Sequence, residues 1–317
     1  MLMNVGGAVP QIVGSHMPGL PLTFGNVFFA GSTVSGANTG NDGLLPATAI
    51  STIDAAVAKC TANNGDVIFV LPGHVETVTA AGGLDLDVAG ISIIGCGRGA
   101  SRPQINFTTV VGADMDVDAA SVTIANILFT GGIDALVGPI DVNAADFALL
   151  GCEYRDVTGQ TSDTVVADAN ADRMLIRGHV HRGAAAAGGQ TAIRVVGGDG
   201  TTIDDFWIDG NFATACIENV TTAATNLTVG GSKQNYARTR NAADVIFTAV
   251  ATTTGNIGPN INMRLQDNAA NITECLVGAD MQFFGPLQIV NLDGEMPFGV
   301  TAVGGIGMIN KTASTDA

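Results

Sequence analysis

The chain is poor in aromatic residues, poor in charge and poorest in positive charge. Aromatic side chains make up 5% of its 317 residues, with one Trp and two Tyr. Charged residues make up 13%, and 13 Lys and Arg stand against 29 Asp and Glu, a formal net charge of −16. So few cations argue against binding nucleic acid through its phosphates and against docking on anionic lipid. No apolar run approaches the ~20 residues a helix needs to cross a bilayer. There is no CxxC pair, and the five cysteines (Cys60, Cys96, Cys152, Cys216, Cys275) are scattered. No zinc site follows from that spacing, and no other metal or cofactor is expected. The cysteines read as small buried hydrophobes with at least one free thiol. The start, Met1-Leu2-Met3-Asn4, lacks the basic residues and apolar run of a secretory leader. The expectation is a protein made and folded in a reducing cytoplasm.

Small aliphatic residues and glycine fill the space. Hydrophobic residues reach 46%, mean hydropathy is +0.34 and there are 42 glycines. The glycines follow no G-X-Y period, which excludes collagen. The apolar content is too high for a disordered chain. Apolar residues this frequent, yet never in long runs, point to a fold that buries short aliphatic side chains almost everywhere.

A repeat explains how. From residue 90 one pattern returns: GISIIGCGR (90–98), SVTIANILF (121–129), DFALLGCEY (146–154), DRMLIRGHV (172–180), GTTIDDFWI (200–208) and, more weakly, NLTVGGSKQ (226–234). Anchored on Ile93, Ile124, Leu149, Leu175, Ile203 and Val229, the copies lie 25 to 31 residues apart. Three residues after each anchor comes a mostly small or apolar position: Cys96, Ile127, Cys152, Gly178, Phe206, then Ser232. Short alternating runs separated by turn residues mean strands. Several strands in a period near 26 indicate one coil of a solenoid, with an aliphatic column inside and Gly, Asn and Asp at the corners. The spacing of a leucine-rich repeat is absent. The fold expected is all-β, a single-stranded right-handed parallel β-helix with a short N-terminal capping helix. At roughly 4.8 Å per rung, residues 65–290 would make about eight or nine coils, a rod on the order of 40 Å long.

The chain divides accordingly. Residues 1–23 read as an extended arm and 24–64 as an opening strand, a loop and the capping helix. Residues 65–260 are the coils, and 261–317 hold terminal coils and a C-terminal cap or tail. The helix is expected over 51–62, capped by Ser51 or Thr52, with Ile53, Ala56, Val57 and Cys60 on one face. Asn63-Asn64-Gly65 would end it.

The segment 24–78 carries a resemblance. Its strand, its GNDG turn (40–43), its lead-in over 46–52, its helix and GDVIFVLPGH (65–74) resemble the N-terminal module of pectate-lyase-like β-helix proteins of tailed bacteriophages. The coils DVDAASVTIANILFTGG (116–132) and IDVNAADF (140–147) are similar to phage-encoded right-handed β-helix proteins. The resemblance spans about residues 24–255 and implies the fold. Its superfamily holds polysaccharide lyases and hydrolases, tailspikes and structural virion proteins, so function must come from a site.

The repeat places two outward columns on one face: Gly97, Leu128, Glu153, His179, Trp207 and Lys233, then Gly99, Thr130, Arg155, His181, Asp209 and Asn235. Glu153, His179 and Trp207 would stack, flanked by Arg155, His181 and Asp209. A catalytic set would be Glu153, His179 and Asp209; a glycan-binding set would be Trp207, Arg155 and His181. Glu153 and Asp209 would sit roughly 9–11 Å apart, near the upper limit for an inverting glycosidase. The same face serves equally as a solvated or subunit-contacting surface, and one Trp with two Tyr is little for a saccharide cleft. Elsewhere, the loop from Gly31 to Gly43 has the composition to cradle an anion or Ca²⁺, GGDG (197–200) reads as a corner, and His16 and His74 have no evident partner. No tight acidic cluster for a metal is evident.

The shortage of aromatic platforms, the acidic surface and the arm favour a non-enzymatic structural virion protein. The resemblance implies a homotrimer. The expectation is a decoration or cement protein on the exterior of a phage head, with the major capsid protein as partner. The alternatives are a tailspike-like depolymerase or host-glycan binder, and a non-catalytic tail or baseplate fibre component.

Overall fold

The computed structural model describes residues 25–156, 161–183, 189–231, 233–239, 244–248, 250, 252–265, 275–277, 280–283, 287–291 and 299–300. The arm at 1–23, His16 and the tail lie outside the described residues. The chain winds as a parallel β-helix. Each coil contributes one strand to each of three parallel sheets, of ten, nine and nine strands. The first sheet runs from Val27–Ala30 and Val67–Val70 through Ala148–Leu150 and Leu175–Arg177 to Met281–Phe283. The second runs from Val75–Val78 through Glu153–Asp156, Val180–Arg182 and Trp207–Gly210 to Leu287–Asn291. The third runs from Leu84–Asp85 through Met115–Val117 and Ile140–Val142 to Gly299–Val300. Strands in register thus continue past residue 260, where the sequence pattern fades. Among the described residues no helix is long and apolar enough to cross a membrane.

The predicted helix shrinks to one turn and a half, Ile53–Val57. Thr52 is the cap; its side chain accepts a hydrogen bond from the Ala55 N–H at 3.2 Å. The helix tightens after Val57, where the amides of Lys59 and Cys60 bond the carbonyls of Ala56 and Val57. Asn63 then takes a left-handed conformation, φ 58°. Ile53, Ala56 and Val57 are buried, and the helix packs on Val27–Ala30, Val67–Val70 and Leu84–Asp85.

Inside, the first sheet stacks Ile68, Ile93, Ile124, Leu149, Ile176, Ile203, Val229 and Ile257, all buried. Each such aliphatic side chain contributes about 1.5–3 kcal/mol through burial. The fourth anchor is therefore Ile176, not Leu175, which faces outward and is half-buried. The cause lies in the corner. Between first and second sheet the chain turns on a single left-handed residue: Asn126, Gly151, Gly178 and Asp205, with φ of 55° to 70°. Backbone bonds continue the ladder through it, as from the Gly151 N–H to the Arg177 carbonyl at 2.8 Å. Glycine takes this conformation at no steric cost, and Asn and Asp tolerate it. Each corner residue lies two positions after its anchor, which selects Ile176 before Gly178. With Ile176, both neighbouring spacings become 27.

Ile176→Ala should cost about 2–5 kcal/mol of stability in denaturant unfolding, and Leu175→Ala far less. The reverse order would restore the register read from the repeat.

Candidate functional site

The candidate site lies on the outward face of the second sheet. Its first outward line, by register, is Val75, Gln104, Leu128, Glu153, Val180, Trp207 and Tyr236. Two residues on runs the second: Thr77, Asn106, Thr130, Arg155, Arg182, Asp209 and Arg238. Of the six residues singled out in the sequence, Glu153, Arg155, Trp207 and Asp209 stand on this face. His179 and His181 do not.

Both histidines are corrections, and one slip explains both. Moving the anchor from Leu175 to Ile176 shifts everything after it by one residue, which turns each side chain to the other face. His179 takes the inward position that Cys152 holds one coil earlier, and His181 pairs in register with the buried Tyr154. His181 stacks on Tyr154 at 5.3 Å and packs against Phe212 at 5.3 Å. None of the four ring nitrogens has a hydrogen-bond partner among the described residues. Burial, and then the Arg102 charge, brings His179 down to about 4. Burial and the neighbouring His179 hold His181 well below its usual range. Neither is poised to exchange protons with a substrate. The last coil shifts as well. A longer corner after Val229 brings Asn235 inward, so Tyr236 and Arg238, not Lys233 and Asn235, complete the outward lines.

Glu153 is the hub of the face. Its Oε1 accepts from Nε of Arg155 at 2.6 Å and Nε of Arg182 at 2.8 Å, and its Oε2 accepts from Nη1 of Arg102 at 3.1 Å. Burial pushes its pKa up, but the hydrogen bonds and charges of Arg155 and Arg182 outweigh that, and the net shift is downward. A carboxylate so held stays ionised and makes a poor general acid. Asp209 is engaged likewise, with Nε of Arg238 donating to its Oδ1 at 2.9 Å and a second bond from Nη2 to Oδ2. Glu153 and Asp209 stand two rungs and two residues apart in register, each carboxylate held by its own arginines.

Trp207 stacks on Tyr236 of the next coil, ring centroids 5.7 Å apart and planes 16° apart. The Arg182 guanidinium, from the preceding coil, lies 4.8 Å from the Trp207 ring centroid. One face of the indole thus meets Tyr236 and the other Arg182, which leaves the ring edge to the outside. Such cation–π contacts contribute about 0.5–1 kcal/mol at exposed sites.

Arg102, Arg182, Tyr236 and Arg238 escape the sequence reading. Arg182 becomes visible once the corner residues are aligned; Tyr236 and Arg238 do not, because the corner after Val229 is longer. Arg102 comes from the loop before Gln104–Phe107, and no repeat position marks it.

A second feature was also missed. Asp85, Asp116 and Asp141 are register partners on the outward side of the third sheet. Burial, and then the charges of Asp114 and Asp141, raise Asp116 to about 6. The shared DxD or DxN pattern of LDLD (84–87), MDVD (115–118) and IDVN (140–143) was the available signal. Among the described residues no group of three such ligands could hold a metal ion. His74 also gains partners: its Nδ1 accepts from the Ser32 N–H at 2.9 Å and its Nε2 lies 3.1 Å from Glu76 Oε2. This ties the loop from Gly31 to the first coil and makes His74 a structural residue. Cys152 and Cys216 are buried free thiols, and Cys60 and Cys96 are half-buried; burial pushes Cys60 up to about 12 and Cys96 to about 11.

No family model matches the chain, and no curated protein matches it. Among solved structures, one described as a rhamnogalacturonan lyase is similar, with TM-score 0.48 and 11% identity, covering 82% of this chain and 69% of that one.

The internal histidines give a pH dependence of known sign. Unfolded, they take up protons near pH 6.5; folded, His179 does so only near 4, and burial holds His181 well below its usual range. Stability from this pair is therefore present above pH 6.5 and lost as pH falls through that value toward 4. Melting temperatures measured from pH 7 to 4.5 should fall more steeply for the native chain than for the double variant His179→Leu, His181→Leu. Parallel curves would place the histidines in contact with solvent.

Proposed function

We propose that the chain is a non-catalytic structural protein of a tailed-phage virion, a decoration or cement protein on the head exterior. In this reading it acts as a homotrimer against the major capsid protein. The observation that carries the non-catalytic half is the state of Glu153, clamped by three arginines and held ionised. Its candidate partner, Asp209, is itself paired with Arg238, and the histidines that would complete an acid–base set are inside the coil. The virion half is supported by the resemblance of residues 24–255 to phage β-helix proteins. A net charge of −16 suits an exposed coat that must stay soluble.

A tailspike-like glycan binder or depolymerase is the second reading, favoured by the Trp207–Tyr236 stack lying on the same face as paired acids. Electron microscopy of intact particles with a chain-specific antibody separates the two. Label spread over the head is the expected result; label confined to the tail tip, or absent, overturns the proposal. In the latter case a polysaccharide screen follows, and Glu153→Gln should abolish any cleavage found if this face performs it.

A further inference from the structure

Arg155 and Arg182 are register partners on neighbouring strands, and both give their Nε to one carboxylate oxygen of Glu153. That holds each guanidinium by its Nε and leaves the Nη groups out of that contact. The side chains remain 48% and 54% exposed, and among the described residues those Nη groups have no partner. Two rigid donor edges therefore stand side by side, about one rung spacing of 4.8 Å apart. With Arg102 and Arg238, four guanidiniums face two carboxylates here, a local excess of positive charge on a chain of net charge −16. The chain's one Trp and its one outward Tyr lie directly beyond, because Tyr154 is buried.

We propose that this face is a docking surface for an acidic segment of another protein. Arginine, tryptophan and tyrosine are the side chains that dominate protein–protein contacts. Forks fixed in advance lose little entropy on binding, and a planar carboxylate is the group they match. A flat sugar has no open indole face on which to lie, since Tyr236 covers one and Arg182 the other. A peptide needs only the guanidinium edges and the rim of the rings. The surface is argued from these side chains alone, so this inference and the virion reading can fail separately.

The single tryptophan makes the test direct, because its emission reports on this face and no other. The full chain is titrated at low ionic strength with a glutamate-rich decapeptide, and separately with an oligogalacturonate. The expected result is a saturable change in emission with the peptide that weakens roughly tenfold as salt is raised well above physiological strength. Arg155→Gln, which leaves Glu153 paired with Arg102 and Arg182, should lower the peptide affinity by roughly an order of magnitude while the chain stays folded at the temperature of the titration. Arg155→Lys, which keeps the charge and removes the fork, should fall between, and serves alone if the first variant does not fold. No response to the peptide, or equal affinity in the variants, overturns the proposal. A response to the oligogalacturonate without one to the peptide also overturns it and assigns the surface to acidic glycans.

Discussion

One residue in a left-handed conformation joins the first sheet to the second in each of four successive coils, and the rest of the molecule is ordered by it. The turn leaves no slack. After Asn126, Gly151, Gly178 or Asp205 the next side chain points into the core and the one after it points out. Ile127, Cys152, His179 and Phe206 are therefore inside. Leu128, Glu153, Val180 and Trp207 start the strands of the second sheet in register. Because the side-chain period of a strand is two, the corner decides which half of the residues makes core and which makes surface.

What the corner brings to the surface is a charge arrangement built for holding. Glu153 gathers arginines from three places in the chain, 51 residues before it, two residues after it and 29 residues after it. The carboxylate serves as an internal counter-ion that orients guanidiniums. Asp209 plays the same part for Arg238. Catalysis by a carboxyl pair requires one acid whose proton is retained, and the arginines around Glu153 favour its ionised form instead. The proposed docking role rests on Arg155 and Arg182, each anchored through its Nε and about half exposed. The aspartate column on the third sheet is the electrostatic opposite, like charges stacked at rung spacing with their pKa values raised.

The interior carries its own exceptions. Tyr154, His181 and Phe212 pack ring against ring, in a line that runs from Phe129 in the coil before to Ile208 in the coil after. The imidazoles fit there only because they are neutral, and the aromatic packing offsets part of what their unpaired nitrogens cost.

Much of this was legible in the sequence: the solenoid, its period, most of the aliphatic column, a helix cap at Ser51 or Thr52 and the face that carries Glu153, Arg155, Trp207 and Asp209. These follow from alternation and spacing, which are local properties of the chain. The orientation of His179 and His181 was not resolved by alternation, because Leu175 and Ile176 are both apolar and either could serve as the anchor. Pairing each anchor with a corner residue two positions later would have decided it. The clamp on Glu153 is of another kind. That Arg102 reaches across two coils, and that Arg182 and Tyr236 close over the two faces of Trp207, depends on which loops and rungs become neighbours when the coil closes. Residue types and spacing therefore determined the fold and the membership of its surface. The state of that surface, with its carboxylates ion-paired to arginines, was set only by the contacts that tertiary structure makes between residues far apart in the chain.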